Sequence, residues 1–288
     1  MKKLAFIIGL SGILGFAIFT FKENLQNLYA EAFKKLPAIE NTINKSLSLE
    51  LPKIIAPPPL RALQDAPDST LTQEGVLNWT NTHRQKENLP GFTPNSKLND
   101  AAAAKLQDMF NRQYFAHVSP QDIDAGDLAQ SAGYEYLAIG ENLALGNYKN
   151  DETLVQAWMN SPGHRANILH ASFQEIGIAV GRGEFEGRTT WLAVQIFGKP
   201  LSICAKPNET LKRQIDTNQT LLSSMEPMLQ AKKKEIERSW PKWGATYNNK
   251  VKEYNEFVYQ YNTLLQETKT IVTKHNAEVE AFNLCVRQ

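Results

Sequence analysis

Hydrophobic residues recur in alternating steps of four and three along the last third of the chain, in two separate runs. The first run covers residues 211–236 and the second covers residues 247–286. A pattern sustained over this length is typical of long helices that pack along one face. Turn-forming residues at 240–244 separate the runs, so we predict an antiparallel helical hairpin over residues 201–288. Pro227 should kink its first helix.

The only two cysteines of the chain lie near the two ends of this hairpin. Cys204 precedes the first predicted helix, and Cys285 lies near the end of the second. Folding the hairpin brings them together, so we predict a Cys204–Cys285 disulfide that stabilises by up to about 4 kcal/mol through loop closure. Two roles stay open for the hairpin. It binds a partner or a second copy of the chain, or it is a self-contained appendage whose seam is satisfied internally.

Shorter helical patterns precede the hairpin. Thr70, followed three residues later by Gln73, is a candidate capping box for a first helix, and Asn99 is a candidate cap for a second. Gly133 is expected to end a third helix, because glycine readily adopts the left-handed conformation found there. The predicted helices cover residues 70–84, 99–110, 127–132 and 151–159.

The hydrophobic period then changes to one typical of strands. Residues 176–180 and 189–197 are rich in β-branched and aromatic residues, and a glycine-containing segment joins them. This order predicts an antiparallel β-hairpin. Helices followed by paired strands indicate an α+β domain over residues 70–200, with the helices packed on an antiparallel sheet.

The N-terminal part of the chain predicts export. Residues 4–21 carry no charge and follow Lys2 and Lys3, so we expect a transmembrane helix within residues 1–21 with its lysines in the cytoplasm. The alternative is a cleaved signal peptide, with cleavage near residues 28–30, which would give a secreted protein. In both cases the body of the protein lies outside the cytoplasm, periplasmic or extracellular, where a disulfide can persist.

Residues 22–69 are interpreted as a connection between the membrane and the folded part. Residues 22–36 have helical spacing and predict a short juxtamembrane helix. Residues 37–69 hold several prolines among small and polar residues, including the run 57–59. This composition predicts an extended, semi-rigid spacer that holds the next domain off the membrane.

The balance of charge argues against one class of partner. The chain has 31 lysines and arginines against 30 aspartates and glutamates. Proteins that bind nucleic acids usually carry a basic patch, often interleaved with aromatic residues, and this sequence has none. We therefore expect no nucleic-acid partner.

Three short segments each present a titratable residue in a turn-like setting. Within residues 160–169, a helix runs into proline and glycine and must stop, which places His164 on a stiff turn. His117 and Glu141 lie in the other two segments. Two imidazoles and a carboxylate suit a zinc site with an open position for water, or metal-free proton transfer in which the glutamate orients an imidazole. The alternative is a structural role, in which these side chains brace the loops through hydrogen bonds.

Local motifs do not decide between these chemistries. The sequence lacks the H-E-x-x-H motif of zinc hydrolases and the G-x-S-x-G motif of serine hydrolases. Ser161 is close to His164 along the chain, but its surroundings lack the strand-to-helix context of a nucleophile. We expect Ser161 to cap or brace the turn instead.

Taken in order, these segments resemble the CAP superfamily, which comprises cysteine-rich secretory proteins, antigen 5 and pathogenesis-related proteins. The domain is also called the SCP-like extracellular domain, and the resemblance is strongest to its bacterial branch. It covers roughly residues 71–199 and rests on the segments 115–120, 140–144, 158–169, 175–178 and 191–197. The resemblance implies an α-β-α sandwich with a cleft where two histidines and acidic residues meet. In some members of the family this cleft binds zinc or another divalent cation.

The resemblance assigns His117, Glu141 and His164 to the cleft. Asn160 stands where the eukaryotic branch has a second glutamate, and Glu175, which opens the first predicted strand, is a further candidate. One carboxylate fewer should weaken any divalent cation site that includes His117 and His164. The usual disulfides of the family are absent from this part of the chain.

These observations lead to two functional expectations. The first is an exported, membrane-tethered protein that binds a ligand, such as a lipid or a peptide, or an envelope partner through the cleft without catalysis. The second is a metal-dependent, peptidase-like hydrolase of an envelope polymer, with His117 and His164 as metal ligands and Glu141 as the base. In either case the C-terminal helices are a candidate contact for a homo-oligomer.

Overall fold

A computed structural model describes residues 53–62 and 65–287 of the chain, which form two compact units. Residues 53–204 build a mixed α/β domain, and residues 205–286 build a helical unit. The apolar run at residues 4–21 and the proposed juxtamembrane helix at residues 22–36 lie outside the described residues. Within the described part of the chain, no helix combines the length and apolarity needed to cross a bilayer.

The mixed domain contains six strands and five α-helices within its described residues. The strands are β1 (Lys53–Ile55), β2 (Leu60–Arg61), β3 (Thr93–Pro94), β4 (Tyr136–Leu145), β5 (Glu175–Phe185) and β6 (Arg188–Pro200). The helices are α1 (Gln73–Lys86), α2 (Ser96–Arg112), α3 (Ala125–Ser131), α4 (Asp151–Asn160) and α5 (Pro162–Ile168). A short 3₁₀ helix, Leu201–Ile203, follows the last strand.

The six strands form one sheet in which β1 and β2 both pair with β4, followed by β6, β5 and β3. The pairs β4–β6 and β5–β6 are antiparallel, as predicted, whereas β1, β2 and β3 add parallel to their neighbours. The sheet is therefore mixed rather than purely antiparallel. The β5–β6 hairpin turns at Glu186 and Gly187, both at positive φ.

Strand β4 was not predicted, and Glu141 lies within it rather than in a turn. Seven consecutive residues of the strand, 139–145, are buried. A strand buried on both faces lacks the polar–apolar alternation that marks a half-exposed strand. The sequence pattern therefore gave no sign that this segment is a strand inside the sheet.

The sheet lies between two layers of helices, as the α-β-α sandwich requires. On one face α1, α4 and α5 pack around buried Trp158, Leu154 and Phe197. On the other face α2 and α3 pack around Leu98, Met109 and Ile196. Burying an aliphatic or aromatic side chain of this kind contributes about 1.5–3 kcal/mol relative to leaving it in water. Each face therefore has its own apolar core.

Residues 53–62 differ from the spacer that their composition predicted. Ile54 pairs with Ile139 and Leu60 pairs with Ala144, so the segment extends the sheet beside β4. Prolines tolerate such a position because they fall between the paired residues, where no backbone N–H has to be donated. The folded domain therefore begins before residue 70.

Helix starts shifted from their predicted caps by two to four residues. Thr72, not Thr70, caps α1 by accepting a hydrogen bond from the backbone N–H of Gly75. Asn95 caps α2, whereas Asn99 accepts a hydrogen bond from the N–H of Ile178 at 2.9 Å and ties α2 to the sheet. Gly133 follows α3 with a φ of +77°, as predicted.

Helix α5 occupies the stretch predicted as a turn. Pro162 stands at its first position, where a missing N–H costs nothing and a fixed φ suits the helix. The proline thus ends α4 and at the same time begins a new helix. The turn contracts to the single residue Ser161, which lies between the two helices.

The helical unit is the predicted hairpin of α6 (Glu209–Arg238) and α7 (Ala245–Val286). The predicted seam positions form its core, including Leu222, Leu229 and Leu265. Pro227 lies inside α6, which continues beyond it. Cys204 and Cys285 are both disulfide-bonded, and as the only cysteines of the chain they bond to each other, as predicted.

Candidate functional site

His117, Glu141 and His164 are carried by three different elements of the mixed domain. His117 lies in the loop between α2 and α3, Glu141 in the middle of β4, and His164 in the first turn of α5. Glu141 and His164 are almost fully buried, and the His117 side chain is 15% exposed. The cleft is therefore formed by a loop, a strand and a helix end that are far apart in sequence.

The imidazole of His117 has a hydrogen-bond partner on each ring nitrogen. Nδ1 lies 2.5 Å from Oε2 of Glu141. Nε2 bonds to the backbone carbonyl oxygen of Pro57, which can only accept, so Nε2 carries a proton. One further proton is shared between Nδ1 and the Glu141 carboxyl group. Both nitrogens are thus engaged within the protein.

Lys105 of α2 positions the loop that carries His117. Its side chain is only 1% exposed, and Nζ donates to the backbone carbonyl of His117 at 2.6 Å. Burial lowers the pKa of Lys105, although the nearby Glu141 carboxylate acts in the opposite direction. An ammonium group buried at this depth is costly unless it is paired, so its bond to the loop restricts where His117 can lie.

His164 is held differently. Its Nδ1 shares a 2.8 Å hydrogen bond with Oγ of Ser161, which confirms the bracing role predicted for that serine. Burial lowers the pKa of His164 to about 4, and the charge on His117 adds to this effect. At neutral pH His164 is therefore an uncharged imidazole beside a partner that can carry charge.

Three polar atoms at the cleft are buried without a partner in the protein. They are Oε1 of Glu141, Nε2 of His164 and Oδ1 of Asn167. Unpaired buried polar atoms are uncommon, because each forgoes a hydrogen bond that water would supply. Water or a ligand group that reaches these atoms would supply the missing hydrogen bonds.

A chain of buried amides links β4, β6, α1 and α5 beneath the cleft. Nδ2 of Asn167 donates to Oδ1 of Asn142 at 3.0 Å, and Nδ2 of Asn142 donates to Oε1 of Gln195 at 3.2 Å. Nε2 of Gln195 donates to Oγ1 of Thr80 at 2.8 Å. Asn142 also donates to the backbone carbonyl of His164 at 3.2 Å. The network fixes the start of α5, and so His164, against the sheet.

Asn160 and Glu175 do not join this cluster. Oδ1 of Asn160 accepts a hydrogen bond from Gln156 on the exposed side of α4. Glu175 accepts hydrogen bonds from Asn95 at 3.2 Å and from the hydroxyl of Tyr134 at 2.7 Å. Tyr134 belongs to the core on the α2–α3 face of the sheet. Glu175 therefore ties the start of β5 to that layer.

The residues as arranged do not fit a zinc site. Among the described residues, no three His, Cys, Asp or Glu side chains are gathered in a way that could hold a metal ion. His117 uses both ring nitrogens for bonds to Glu141 and Pro57. Only the unpaired atoms of Glu141 and His164 remain, and catalytic zinc ordinarily has three protein ligands.

Sequence reasoning missed four contributors to the site: Pro57, Lys105, Asn142 and Asn167. Asn142 and Asn167 stand inside segments that the family resemblance singled out, and an amide amid apolar residues indicates a buried hydrogen-bond role. Lys105 and Pro57 carried no comparable pattern. A lysine on a helix usually lies in solvent, and a proline run usually belongs to a linker.

Comparison with known proteins identifies the domain. Residues 77–197 match the family model described as CAP, the cysteine-rich secretory protein family. The Bacillus subtilis protein YkwD is 41% identical over 135 residues, which are 46% of this chain and 50% of YkwD. The B. subtilis membrane protein YlbC is 29% identical over 113 residues, 39% of this chain and 32% of YlbC. The chain thus spans half or less of the curated relatives it matches.

A solved structure of an extracellular SCP-domain protein from Bacillus anthracis shares 28% identity with the chain. It covers 44% of this chain and 40% of its own, with a TM-score of 0.38. The family model spans His117, Glu141 and His164. Residues 77–197 thus belong to the CAP family, and the mixed α/β domain that contains them is a CAP domain.

Proposed function

We propose that this chain is an exported, membrane-tethered CAP-domain protein that binds a ligand or an envelope partner through its histidine cleft without catalysing a reaction. The observation that carries the proposal is the state of His117, whose two ring nitrogens are both bonded inside the protein. While backbone carbonyl and Glu141 oxygens occupy both nitrogens, the ring has no free nitrogen to act as a general base or a metal ligand, but it can serve as one polar wall of a binding site.

The unpaired atoms of Glu141 and His164 support binding. A ligand that supplies a hydrogen-bond donor to Oε1 and a complementary group to His164 Nε2 would satisfy both. The lowered pKa of His164 keeps this imidazole neutral at physiological pH, so its interaction with a ligand is a hydrogen bond rather than an ion pair.

Export and tethering are supported by the apolar N-terminal run and by the relatives. The matched B. anthracis structure is of an extracellular protein, and YlbC is described as a membrane protein. Fractionation of cells tests this part. The full chain should sediment with membranes, and a version lacking residues 4–21 should not. A full chain found entirely in the soluble cytoplasmic fraction would contradict it.

The test of non-catalytic binding is metal analysis followed by assays of hydrolysis on peptide and envelope polymer. The expected result is substoichiometric zinc and no turnover that depends on His117. Stoichiometric zinc, together with hydrolysis lost in folded His117→Ala and His164→Ala variants, would instead establish the metal-dependent hydrolase. Thermal melting of each variant shows whether lost function reflects lost folding.

The helical hairpin is proposed as a second contact surface. Trp240 and Trp243, between α6 and α7, are 88% and 75% exposed. Exposed tryptophans are unusual in a monomer and common in interfaces. A Trp240→Ser/Trp243→Ser variant should lose any self-association of the full chain measured by light scattering. A monomer mass for both forms would exclude the homo-oligomer.

A further inference from the structure

The edge of the central sheet at β4 is covered by the chain's own residues 53–62, here called the covering segment. Its strands β1 and β2 run parallel to β4, with Ile54 opposite Ile139 and Leu60 opposite Ala144. The backbone N–H of Ala62 also donates to the carbonyl of Leu145 at 2.9 Å. Backbone pairing of this kind at a sheet edge is also the way in which many proteins bind extended peptides.

The backbone pairing between the covering segment and β4 is interrupted at one place, next to the cleft residues. Ile55 lies opposite Gly140 and Leu60 opposite Ala144, so the segment advances one residue more than β4 between the two pairs. The prolines at 57–59 fall within this bulge. Proline has no N–H to lose there, and an extra residue bends the strand out of the sheet.

Pro57 fills the space between the two histidine-bearing elements. Its side chain is buried, and its carbonyl oxygen accepts a hydrogen bond from Nε2 of His117. A Cβ atom added at Gly163 would come within 2.6 Å of Cβ of Pro57, so only glycine leaves room for the proline ring. Asn167 of α5 donates from Nδ2 to the carbonyl of Ile55 at 3.2 Å. The cleft residues thus bind this extended segment through the backbone carbonyls of Ile55 and Pro57 and through the proline ring.

Few side chains of the covering segment anchor it elsewhere. Ile54 is 40% exposed, and Ala56 and Pro58 are also exposed. Arg61 makes a bidentate pair with Glu186 and lies over the ring of Phe115, but the two charged side chains are more than half exposed, so water screens the pair. Ile55 and Leu60 are only partly buried against the core. The segment is held mainly by backbone bonds and Pro57, a mode that another chain of the same chemistry can reproduce.

We propose that the covering segment is an internal ligand of the cleft, and that the cleft binds in trans an extended, proline-containing peptide in the same parallel orientation once the segment is displaced. This inference rests on the binding function proposed above and names its ligand class. The carbonyl before the second proline pairs with His117, and the proline ring packs against Gly163. A tethered segment competes at a high effective concentration, so it keeps the cleft closed to weak ligands.

The experiment uses a fluorescent peptide with the sequence of residues 53–62 and measures its anisotropy with the full chain. Ile55→Asp should weaken the covering segment, because Ile55 packs against the core. Ala56→Asp is the matched control, since it adds the same charge at the neighbouring residue, whose side chain is exposed. The peptide should bind the Ile55→Asp protein at least about tenfold more tightly than it binds the wild type or the Ala56→Asp control.

Two further variants test where the peptide binds. Adding Gly163→Ala to the opened Ile55→Asp protein should abolish peptide binding, because the new methyl group occupies the place of the proline ring. A peptide with lysine in place of the residue that corresponds to Pro57 should also fail to bind. Equal binding of wild type and Ile55→Asp, or equal binding of a scrambled peptide, would overturn the proposal.

Hydrogen exchange of the wild-type protein gives a measurement that does not depend on any variant folding. Amides of the covering segment should exchange by local opening, faster than amides of β6 in the middle of the sheet. Exchange of both at the slow rate of global unfolding would show a permanent strand and overturn the proposal. Failure of peptide binding by a folded opened protein rejects this ligand class alone. The binding function itself is judged separately by the metal and hydrolysis measurements.

Discussion

The CAP domain and the helical hairpin bury polar groups in very different amounts. In the hairpin, polar contacts along the seam are isolated pairs: Nδ2 of Asn218 donates to Oγ1 of Thr268 at 3.1 Å, and the hydroxyl of Tyr261 donates to Glu226 at 3.3 Å. In the CAP domain, Asn142, Gln195 and Asn167 form a continuous buried network, and Lys105 is buried nearby. Apolar seams stabilise by area, whereas buried networks also fix geometry. The contrast indicates that the hairpin is built for stability and the CAP domain for a precisely held cleft.

The largest expected effect concerns the hairpin's single covalent link. Replacing Cys204 and Cys285 by serine should lower the free energy of unfolding of the hairpin by up to about 4 kcal/mol, because the bond closes a loop of roughly 80 residues. Circular dichroism at increasing temperature measures the loss of helix. Hydrogen exchange in β4 serves as the control and should change little. An unchanged helical transition would mean that the seam alone supports the hairpin.

A direct test of the comparison removes one amide from each region. Asn142→Ala should destabilise the CAP domain by about 3 kcal/mol, since it removes one hydrogen bond each from Asn167, Gln195 and the His164 carbonyl. Asn218→Ala should cost the hairpin less than about 1 kcal/mol, because Asn218 is only partly buried. Denaturant unfolding measures both. Equal costs would remove the distinction between the two regions.

The third prediction uses pH to separate the regions. Burial, followed by the charge on His117, lowers the pKa of His164 to about 4, against 6.5 for the exposed group. Between pH 6.5 and 4, His164 is therefore protonated in the unfolded chain but stays neutral in the folded domain. Stability from this group is fully present above pH 6.5 and is lost as the pH falls, by about 2 kcal/mol at pH 5.

Denaturant unfolding of wild type and His164→Gln between pH 4 and 8 measures that effect. The difference between the two proteins isolates His164 from other titrating groups. The CAP domain of the variant should show a shallower loss of stability with acid, and the hairpin transition should be the same in both. Parallel pH profiles for the CAP domains of the two proteins would show that His164 titrates normally.

The smallest effect is expected for an ion pair on the hairpin surface. Lys232 lies 3.2 Å from Glu253, with the glutamate side chain well exposed. Lys232→Ala should lower the free energy of unfolding by less than about 0.5 kcal/mol, because water and salt screen such pairs. A loss above about 1 kcal/mol would show that the hairpin, too, depends on specific polar contacts.

The sequence predicted the structure of the helical hairpin more completely than that of the CAP domain. The seam positions Leu222 and Leu265, the break at residues 240–244 and the Cys204–Cys285 bond were all predicted, because each depends on residues a few steps apart or on the only cysteine pair. In the CAP domain the β5–β6 hairpin was predicted for the same reason. Strand β4 was not predicted, since burial on both faces removes the alternation of polar and apolar residues by which a strand is recognised.

The residue types in the cleft were predicted from the sequence, but the structure shows which of those residues lie together. His117 and Glu141 do meet, and His164 is held beside them by Ser161 and Asn142. Glu175 instead bonds to Tyr134 on the opposite layer of the domain. A side chain at the start of a strand can point to either face, and a one-residue change in register reverses it. Sequence alone could not assign that face.

The sequence by itself determined the α+β class, the long helical pair, its disulfide and the family to which the cleft residues belong. These rest on periodicity, cysteine number and motif order, which are properties of the linear chain. Only the tertiary structure decided what occupies the cleft. Pro57 lies 60 residues from His117 along the chain, and their contact exists because residues 53–62 pair with β4. A long-range contact that depends on strand pairing leaves no periodic pattern in the sequence, so a segment with the composition of a spacer became part of the site.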